Sequence, residues 1–212
     1  MPTREENRTM WDQQFDWSRR GEEWTVSRDW WRSILDATLV KYGRPGQSVL
    51  EIGPGAGRFT EELIAREPRR LVLLDLSPRC LEMCRERFGD LGGRLECVLG
   101  DGRSVPIDGA RAFDLVFSFD VFVHVEKPEV EAYFADFARL LVPGGLGIVH
   151  YASIDRTPPG RDPMSGWRAR FRSTDMHAVL AANNLTLIED LYHEQISHAN
   201  SSIVVFRRPF ES

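Results

Sequence analysis

The residues best suited to chemistry begin with a glycine-rich turn. Glu51 is followed by glycines at alternate positions, Gly53, Gly55 and Gly57, between an apolar run and a helical pattern. Glycine lets the backbone turn sharply and approach a ligand closely, because no Cβ intervenes. The start of the next helix presents unpaired N–H groups. The turn therefore predicts a binding site for a ligand with a nucleotide-like part.

The spacing of these glycines separates two classes of ligand. A dinucleotide-binding turn follows the pattern Gly-x-Gly-x-x-Gly. Counted from Gly53, the last position of that pattern is Arg58, and the observed pattern is Gly-x-Gly-x-Gly with Glu51 two residues ahead. The spacing therefore disfavours NAD, and a nicotinamide-dependent dehydrogenase stays an alternative.

An alternation of strand-like and helical runs must position these residues. The predicted strands are Ser48–Ile52, Arg70–Leu76, Arg94–Leu99, Phe113–Phe119, Leu146–Ala152, Leu185–Tyr192 and Ser201–Arg207. The predicted helices are Phe59–Arg66, a helix from Ser77 and Pro78 through Phe88, Glu129–Leu141 and Ser173–Asn183. Continuous apolar strands imply burial on both faces. We therefore predict an α/β fold, a doubly wound, mostly parallel seven-stranded sheet of Rossmann-like type with helices on both faces. Such sheets bind ligands beyond the carboxyl ends of their strands.

Two regions fall outside this alternation. Residues 1–47 hold five of the six tryptophans and an apolar helical stripe for which Ser27 is a candidate cap. They are predicted to form an N-terminal helical lid or substrate cap over a ligand-binding domain of residues 48–212, one domain overall. Within that domain, residues 153–172 are rich in proline and glycine, which predicts a substrate loop.

Composition limits the partners and the location. The net charge of −5 disfavours nucleic acid, which needs a basic face. No run approaches the roughly 18 apolar residues of a membrane span, and the charged first ten residues lack the apolar segment of a signal peptide. Cys80, Cys84 and Cys97 lack the neighbours of a metal site and are expected to be reduced thiols. We therefore expect a cytoplasmic protein whose oligomeric state the sequence leaves open.

Five motifs in order resemble those of a known family. Val49 to Gly57 resembles the first motif of class I S-adenosylmethionine-dependent methyltransferases of the small-molecule type. The family's later motifs are resembled in the same order. They are Asp75 at the end of the second strand, Gly100-Asp101-Gly102 at the end of the third, Phe113 through Asp120, and Leu140 through Gly145. The resemblance covers about residues 45–152. It implies S-adenosyl-L-methionine as cofactor and S-adenosyl-L-homocysteine as product.

The resemblance also implies which residues contact the cofactor. Glu51 and nearby backbone groups would hold the methionine end, Asp75 would accept from the ribose hydroxyls, and Asp101 would accept from the adenine amino group. The complete set of expected cofactor-binding residues is Glu51, Gly53, Pro54, Gly55, Gly57, Asp75, Leu76, Asp101, Gly102, Phe119 and Asp120.

Methyl transfer to an alcohol also needs a general base, and histidine suits that task near neutral pH. His124, after the fourth strand, and His150, in the fifth, are the predicted catalytic residues. His124 is preferred because it lies four residues after Asp120, at the expected mouth of the cofactor site. The alternative for His124 is a helix-start residue that faces solvent or packs against Phe122. A divalent metal held by Asp120, His124, His150 and Asp155 is a further alternative that no paired-ligand motif indicates.

Aromatic and basic residues point to a small-molecule acceptor. Trp24, Tyr151 and Trp167 are predicted to form its walls, with Trp11 as a further candidate. The arginines of residues 153–172 form either a receptor for an acidic group or a solvated loop. No Asn/Asp-Pro-Pro-aromatic motif follows strand four, as it does in the family's DNA-methylating and many RNA-methylating members, so nucleic acid is not the expected acceptor. We predict O-methylation of a sugar or another hydroxylated metabolite; small-molecule N-methylation and a non-catalytic cofactor-binding module stay open.

Overall fold

The computed structural model describes residues 3–192 and 200–211, and its centre is a seven-stranded sheet. The strands are β1 (Ser48–Ile52), β2 (Arg70–Asp75), β3 (Leu95–Leu99), β4 (Phe113–Phe122), β5 (Leu141–Ala152), β6 (Thr186–Leu191) and β7 (Ser201–Arg207). They lie in the order β3-β2-β1-β4-β5-β7-β6. Strands β1 to β5 pair in parallel, and β7 is antiparallel to β5 and β6. The predicted mostly parallel seven-stranded sheet is confirmed.

Helices cover both faces of this sheet. They are α1 (Arg4–Thr9), α2 (Arg28–Leu35), α3 (Arg58–Ile64), α4 (Pro78–Phe88), α5 (Lys127–Leu140) and α6 (Ser173–Ala182). Leu50 and Ile52 of β1 lie in a core with residues of α5 and α6, whereas Val49 lies in a second core with residues of α2, α3 and α4. Alternate side chains of one strand thus enter two separate cores, as the apolar strands predict.

Strand β5 departs most from its predicted bounds. It begins at Leu141 rather than at Leu146. Phe113 of β4 pairs with Leu141, but Leu115 pairs with Leu146, so the stretch around Gly144 forms a bulge inside the strand. Gly144 has a φ of +80°, and its N–H donates to the carbonyl of Arg208 at 2.9 Å. The glycines therefore bend the strand without ending it.

The first 47 residues are helical in short pieces. Helix α1 continues into a π-helical turn at Met10–Gln14, and 3-10 turns follow at Trp17–Arg19 and Glu22–Trp24. Helix α2 continues into a second π-helical turn at Asp36–Val40. The Ser27 hydroxyl accepts from the N–H of Trp30 at 3.1 Å, which confirms the predicted cap.

One carboxylate fastens the N-terminal segment, residues 3–26, to the carboxyl end of the sheet. Asp12 accepts from the hydroxyl of Ser77 at 2.8 Å and from the N–H of Arg79 at 3.2 Å. Both partners belong to the start of α4, which immediately follows β2. The segment therefore lies over the edge at which a doubly wound sheet binds ligands.

The loop at residues 153–172 is irregular except for a 3-10 turn at Ile154–Arg156. Asp155 accepts from the N–H and the hydroxyl of Ser173 at 2.8 and 2.6 Å, so it binds the start of α6. Asn200 donates to the carbonyls of Pro163 and Ser165 at 3.2 and 2.8 Å. These contacts hold the loop against the start of α6 and against Asn200, the residue before β7. In the described part of the chain, no helix has the length and apolar character needed to cross a membrane.

Candidate functional site

A cavity of about 520 Å³ lies beyond the carboxyl ends of β1, β2 and β4. The N-terminal segment and the loop at residues 153–172 contribute the wall opposite the sheet. Its volume is in the usual range for sites that hold small molecules. The predicted site residues that line it are Trp24, Glu51, Gly53, Pro54, Gly55, Asp75, Leu76, Gly102, Phe119, Asp120, His124 and Trp167.

The glycine-rich turn needs glycine for both conformation and packing. Gly53, Gly55 and Gly57 have φ values of +68°, +56° and +85°. A Cβ at Gly55 would lie 2.8 Å from the ring of Trp17, and one at Gly57 would lie 2.4 Å from the ring of Phe88. Gly57 caps α3 and is not among the residues that line the cavity. Gly57 therefore has a packing role between α3 and α4, and its cofactor contact stays a prediction.

Two buried acids lie at the ends of neighbouring strands. Oε2 of Glu51 accepts from the hydroxyl of Thr60 at 2.7 Å, and burial raises the pKa of Glu51 to about 8. Asp75 accepts from the N–H groups of Gly55 and Ser77 at 3.3 and 2.9 Å, and burial raises its pKa to about 6. A carboxylate offers about four acceptor sites. Asp75 can therefore bind a ligand hydroxyl while it holds the turn.

The N-terminal segment adds two acceptors that sequence reasoning missed. Oδ1 of Asn7 and Oε2 of Glu23 are buried without a hydrogen-bond partner among residues 3–192 and 200–211, and both residues line the cavity. An unsatisfied buried polar atom costs roughly 1–3 kcal/mol. A ligand with several N–H or O–H donors would remove that cost. No sequence motif marks these positions, because only the folding of the segment over the sheet brings them there.

Asp101 lies outside this cavity, contrary to expectation. Its side chain is exposed, and its Oδ1 accepts from the N–H of Arg103 at 2.8 Å. It lines a smaller cavity of about 280 Å³ together with Leu76 and the arginines Arg4 and Arg8. Since Leu76 lines both cavities, Asp101 is adjacent to the main site but turned toward its own loop.

Arg58 is a further residue of the site that the sequence did not reveal. Its position was used only as a mismatch to the dinucleotide-binding pattern Gly-x-Gly-x-x-Gly. It is 8% exposed, and its Nη2 lies 2.7 Å from Oδ2 of Asp120. Its Nη1 donates to the carbonyl of Gly21 and the hydroxyl of Thr25 at 3.2 and 3.3 Å. One guanidinium thus joins α3, the end of β4 and the N-terminal segment.

His124 lies on the cavity wall in a defined tautomer. Its Nδ1 is 2.7 Å from the carbonyl oxygen of Trp167. A carbonyl oxygen only accepts, so Nδ1 carries the hydrogen and Nε2 of the neutral ring is an acceptor. Burial lowers the pKa of His124 to about 4, so the ring is neutral at physiological pH. The ring lies 5.6 Å from that of Trp11, centroid to centroid.

His150 does not reach the cavity, which corrects its expected role as a base. It is fully buried, its ring stacks on Phe119 at 4.3 Å, and its Nε2 lies 2.7 Å from Oγ of Ser201. Its Nδ1 accepts from the N–H of Asp120 at 3.2 Å. Burial lowers the pKa of His150, opposed by the Asp120 carboxylate. His150 thus contacts Asp120 and Phe119, two residues that line the cavity, and is not itself among the lining residues.

Tyr151 is also outside the cavity, which corrects its expected place in the acceptor wall. Successive residues of a strand face opposite sides of the sheet, so Tyr151 points away from the face that His150 occupies. It is fully buried in the core near α5 and α6, and its hydroxyl donates to Asp190 at 2.9 Å.

The four proposed metal ligands do not all come together, although Nδ1 of His150 lies 3.1 Å from Oδ1 of Asp120. Asp155 binds the start of α6 through Ser173, and His150 is buried against Ser201. Over residues 3–192 and 200–211, no group of three or more His, Cys, Asp or Glu side chains is arranged to hold a metal ion.

Comparison with known proteins agrees with this architecture. A family model described as a methyltransferase domain matches residues 49–145. An uncharacterized methyltransferase-like protein of Schizosaccharomyces pombe is 29% identical over 125 residues, which are 58% of this chain and 45% of that protein. Other curated relatives are named O-methyltransferase, phosphoethanolamine N-methyltransferase and ribosomal RNA small subunit methyltransferase A. The chain spans about half or less of the length of these relatives.

Two solved structures share the fold across nearly the whole chain. An S-adenosylmethionine-dependent methyltransferase from Clostridium acetobutylicum has a TM-score of 0.70 at 15% identity and covers 91% of this chain and 98% of its own. The 1,6-didemethyltoxoflavin-N1-methyltransferase of Burkholderia thailandensis, solved with S-adenosylhomocysteine, has a TM-score of 0.66 at 18% identity and covers 98% and 87%. The family match over residues 49–145, the sheet order and these structures show that the chain has the fold of the S-adenosylmethionine-dependent methyltransferases.

Proposed function

We propose that this chain transfers a methyl group from S-adenosyl-L-methionine to a hydroxyl of a small molecule, a sugar or another hydroxylated metabolite, with His124 as general base. The observation that carries the proposal is the tautomer of His124. Its Nδ1–H is donated to the Trp167 carbonyl, which leaves Nε2 free of hydrogen on a residue that lines the cavity.

The cavity fits the cofactor by its supply of hydrogen-bond acceptors. Asp75 would accept from the ribose hydroxyls, and the turn from Glu51 to Gly55 would hold the methionine end. The unpartnered oxygens of Asn7 and Glu23 would accept from further donors of the cofactor. When bound, the cofactor supplies an electrophilic methyl group on a positively charged sulfur.

The protein's own contribution is alignment, exclusion of water and removal of one proton. Alignment of reacting groups is worth roughly 7–11 kcal/mol in favourable cases. Residues 1–47 would act as a lid and residues 153–172 as a substrate loop over the domain of residues 48–212. His124 would take the hydroxyl proton on Nε2 as the new bond forms, while its Nδ1–H stays on the Trp167 carbonyl.

A second candidate is N-methylation of a small molecule. The solved N1-methyltransferase with the same fold supports it. A non-catalytic cofactor-binding module is the third. The net charge of −5 favours a small acceptor over RNA, although some relatives are named ribosomal RNA methyltransferases. We propose a cytoplasmic location on the composition of the chain.

A transfer assay separates these candidates. Labelled cofactor is incubated with hydroxyl and amine acceptors and with wild type, His124→Ala and the control His177→Ala. His177 lies outside the cavity, with its Nε2 2.8 Å from Asp190. We expect His124→Ala to lower O-methylation about 10²–10⁴-fold with unchanged affinity for S-adenosylhomocysteine, and His177→Ala to leave both unchanged.

Each of the other possible results of this assay would contradict the base or support a different function. O-methylation that survives His124→Ala removes His124 as the base. Methylation of amines alone supports the N-methyltransferase. Cofactor binding without any transfer supports the non-catalytic module, and binding of NAD without S-adenosylmethionine overturns the proposal.

A further inference from the structure

Arg168 is a cavity-lining guanidinium without a carboxylate partner. Its Nε donates to Oδ1 of Asn200 at 3.1 Å and its Nη1 to the carbonyl of Gly166 at 3.4 Å. Arg58 and Arg156, by contrast, pair with Asp120 and Asp190. In the described part of the chain, Arg168 forms no ion pair with an acidic side chain. The carboxylate of Asp120, which forms its ion pair with Arg58, raises the pKa of Arg168 but forms no ion pair with it, so the guanidinium of Arg168 can still receive an anion in the cavity.

The surroundings of Arg168 make that charge costly. Burial lowers its pKa, which means that the charged form is poorly hydrated. A buried charge is stabilised by a partner of opposite sign, and here the cavity is the place where one can bind. The side chain is also held in place: Asn200, which accepts from Nε, is itself anchored to the carbonyls of Pro163 and Ser165.

Aromatic rings line the same cavity as the guanidinium of Arg168. The ring centroid of Trp11 lies 6.0 Å from that of Trp24, 6.3 Å from that of Trp167 and 5.6 Å from that of His124. All four residues line the cavity. Indole faces favour a flat apolar ring. The same stretch of loop supplies the carbonyl that fixes His124, the indole of Trp167 and the guanidinium of Arg168.

We propose that the methyl acceptor is a planar aromatic carboxylate that carries a hydroxyl. The guanidinium of Arg168 binds the carboxylate, the indoles of Trp11, Trp24 and Trp167 cover the ring, and the hydroxyl lies against His124. This inference rests on the proposed function, since it names the acceptor of the same site. A carboxylate matches the planar fork of a guanidinium and brings the missing counter-charge.

An anionic acceptor also assists the base. Burial is the main cause of the low pKa of His124, and the charge of Arg168 lowers it further, whereas the hydrogen bond to the Trp167 carbonyl and the charge of Asp120 raise it. A carboxylate at Arg168 offsets one of the lowering causes. The acceptor's own charge thus raises the proton affinity of His124 when the acceptor is in place.

The test uses acceptors matched in shape but not in charge. Hydroxybenzoates and hydroxycinnamates are titrated by calorimetry into the protein saturated with S-adenosylhomocysteine, beside the corresponding primary amides, and the same compounds are tested for methyl transfer. The variants are Arg168→Gln, Arg168→Lys and the control Arg161→Gln, an exposed arginine of the same loop. Calorimetry reports binding whether or not transfer occurs.

We expect wild type to bind and methylate at least one acid in preference to its amide. Arg168→Gln should weaken binding of the acid about 10–100-fold and leave the amide within about 3-fold, with Arg168→Lys intermediate and Arg161→Gln unchanged. The proposal is overturned if no acid binds, if acid and amide bind equally, or if Arg168→Gln weakens both alike. An acid that binds through Arg168 but is never methylated contradicts the proposed function and leaves the anion site standing.

Discussion

The ion pair between Arg58 and Asp120 joins α3 to the end of β4 and holds in place the guanidinium that also binds the N-terminal segment. Breaking a buried pair costs roughly 3–5 kcal/mol, because the remaining charge is uncompensated. Arg58 is 8% exposed but Asp120 is 21% exposed, so water would partly solvate the carboxylate that Arg58→Met leaves behind. We expect a loss of about 2–3 kcal/mol. For a protein of this size that corresponds to a fall in Tm of roughly 4–12 °C.

A double-mutant cycle tests this directly. Asp120→Asn removes the charge without disturbing the backbone, because asparagine tolerates the φ of +57° at this position. The double variant should lose at least about 1 kcal/mol less than the sum of the single losses in urea unfolding. Arg69→Met serves as the control, since Arg69 is 58% exposed in its pair with Asp114 and should cost at most about 1 kcal/mol. Additive losses, or a loss at Arg58 no larger than that at Arg69, would refute the reasoning.

Three further substitutions test the packing at Gly57, the protonation of Glu51 and the hydrogen bond of the Tyr151 hydroxyl. Gly57→Ala should lower the free energy of unfolding by roughly 2–4 kcal/mol, because it places a Cβ 2.4 Å from Phe88 on a left-handed backbone. The control Gly46→Ala, also left-handed but with nothing within 4 Å of the Cβ, should lower it by about 1–2 kcal/mol. Equal losses in urea unfolding would contradict the packing argument. Burial raises the pKa of Glu51 from the usual 4.5 to about 8, so its contribution to stability is complete below pH 4.5 and is lost as the pH rises through 8. Glu51→Gln should therefore flatten the fall in stability between about pH 4.5 and pH 8, and a fall as steep as in wild type would show that another group causes it. Tyr151→Phe should cost about 1 kcal/mol of stability and leave the KM of the acceptor unchanged, whereas a tenfold rise in KM would return Tyr151 to the site.

Local signals predicted much of the fold. Ser77 and Pro78 gave the start of α4, and the apolar run at Ser201–Arg207 gave the bounds of β7. The start of β5 was missed because a glycine that permits a bulge and a glycine that ends a strand look alike in sequence. Which one forms depends on the neighbouring strand, here β4, and on the partner of the Gly144 N–H.

The candidate site was predictable where residues follow strands and unpredictable where tertiary packing decides. Asp75 and Asp120 lie at strand ends, and both line the cavity as expected. His150 and Tyr151 were both assigned to it, although neighbours on a strand face opposite sides. The contributions of Asn7 and Arg168 depend on how the N-terminal segment and the loop at residues 153–172 pack over the sheet. No hydrophobic periodicity in the sequence predicts that packing.

Strand β7 lies between β5 and β6 in the sheet but is synthesised after both of them. Until β7 is synthesised, the outer edge of β5 is an unpaired template, open to association with other chains. Ser201, which contacts His150, and Asn200, which anchors Arg168, emerge together with β7. One stretch of chain therefore closes the aggregation-prone edge and completes the cavity wall. Ligand binding by a nascent chain would then report that the sheet has closed.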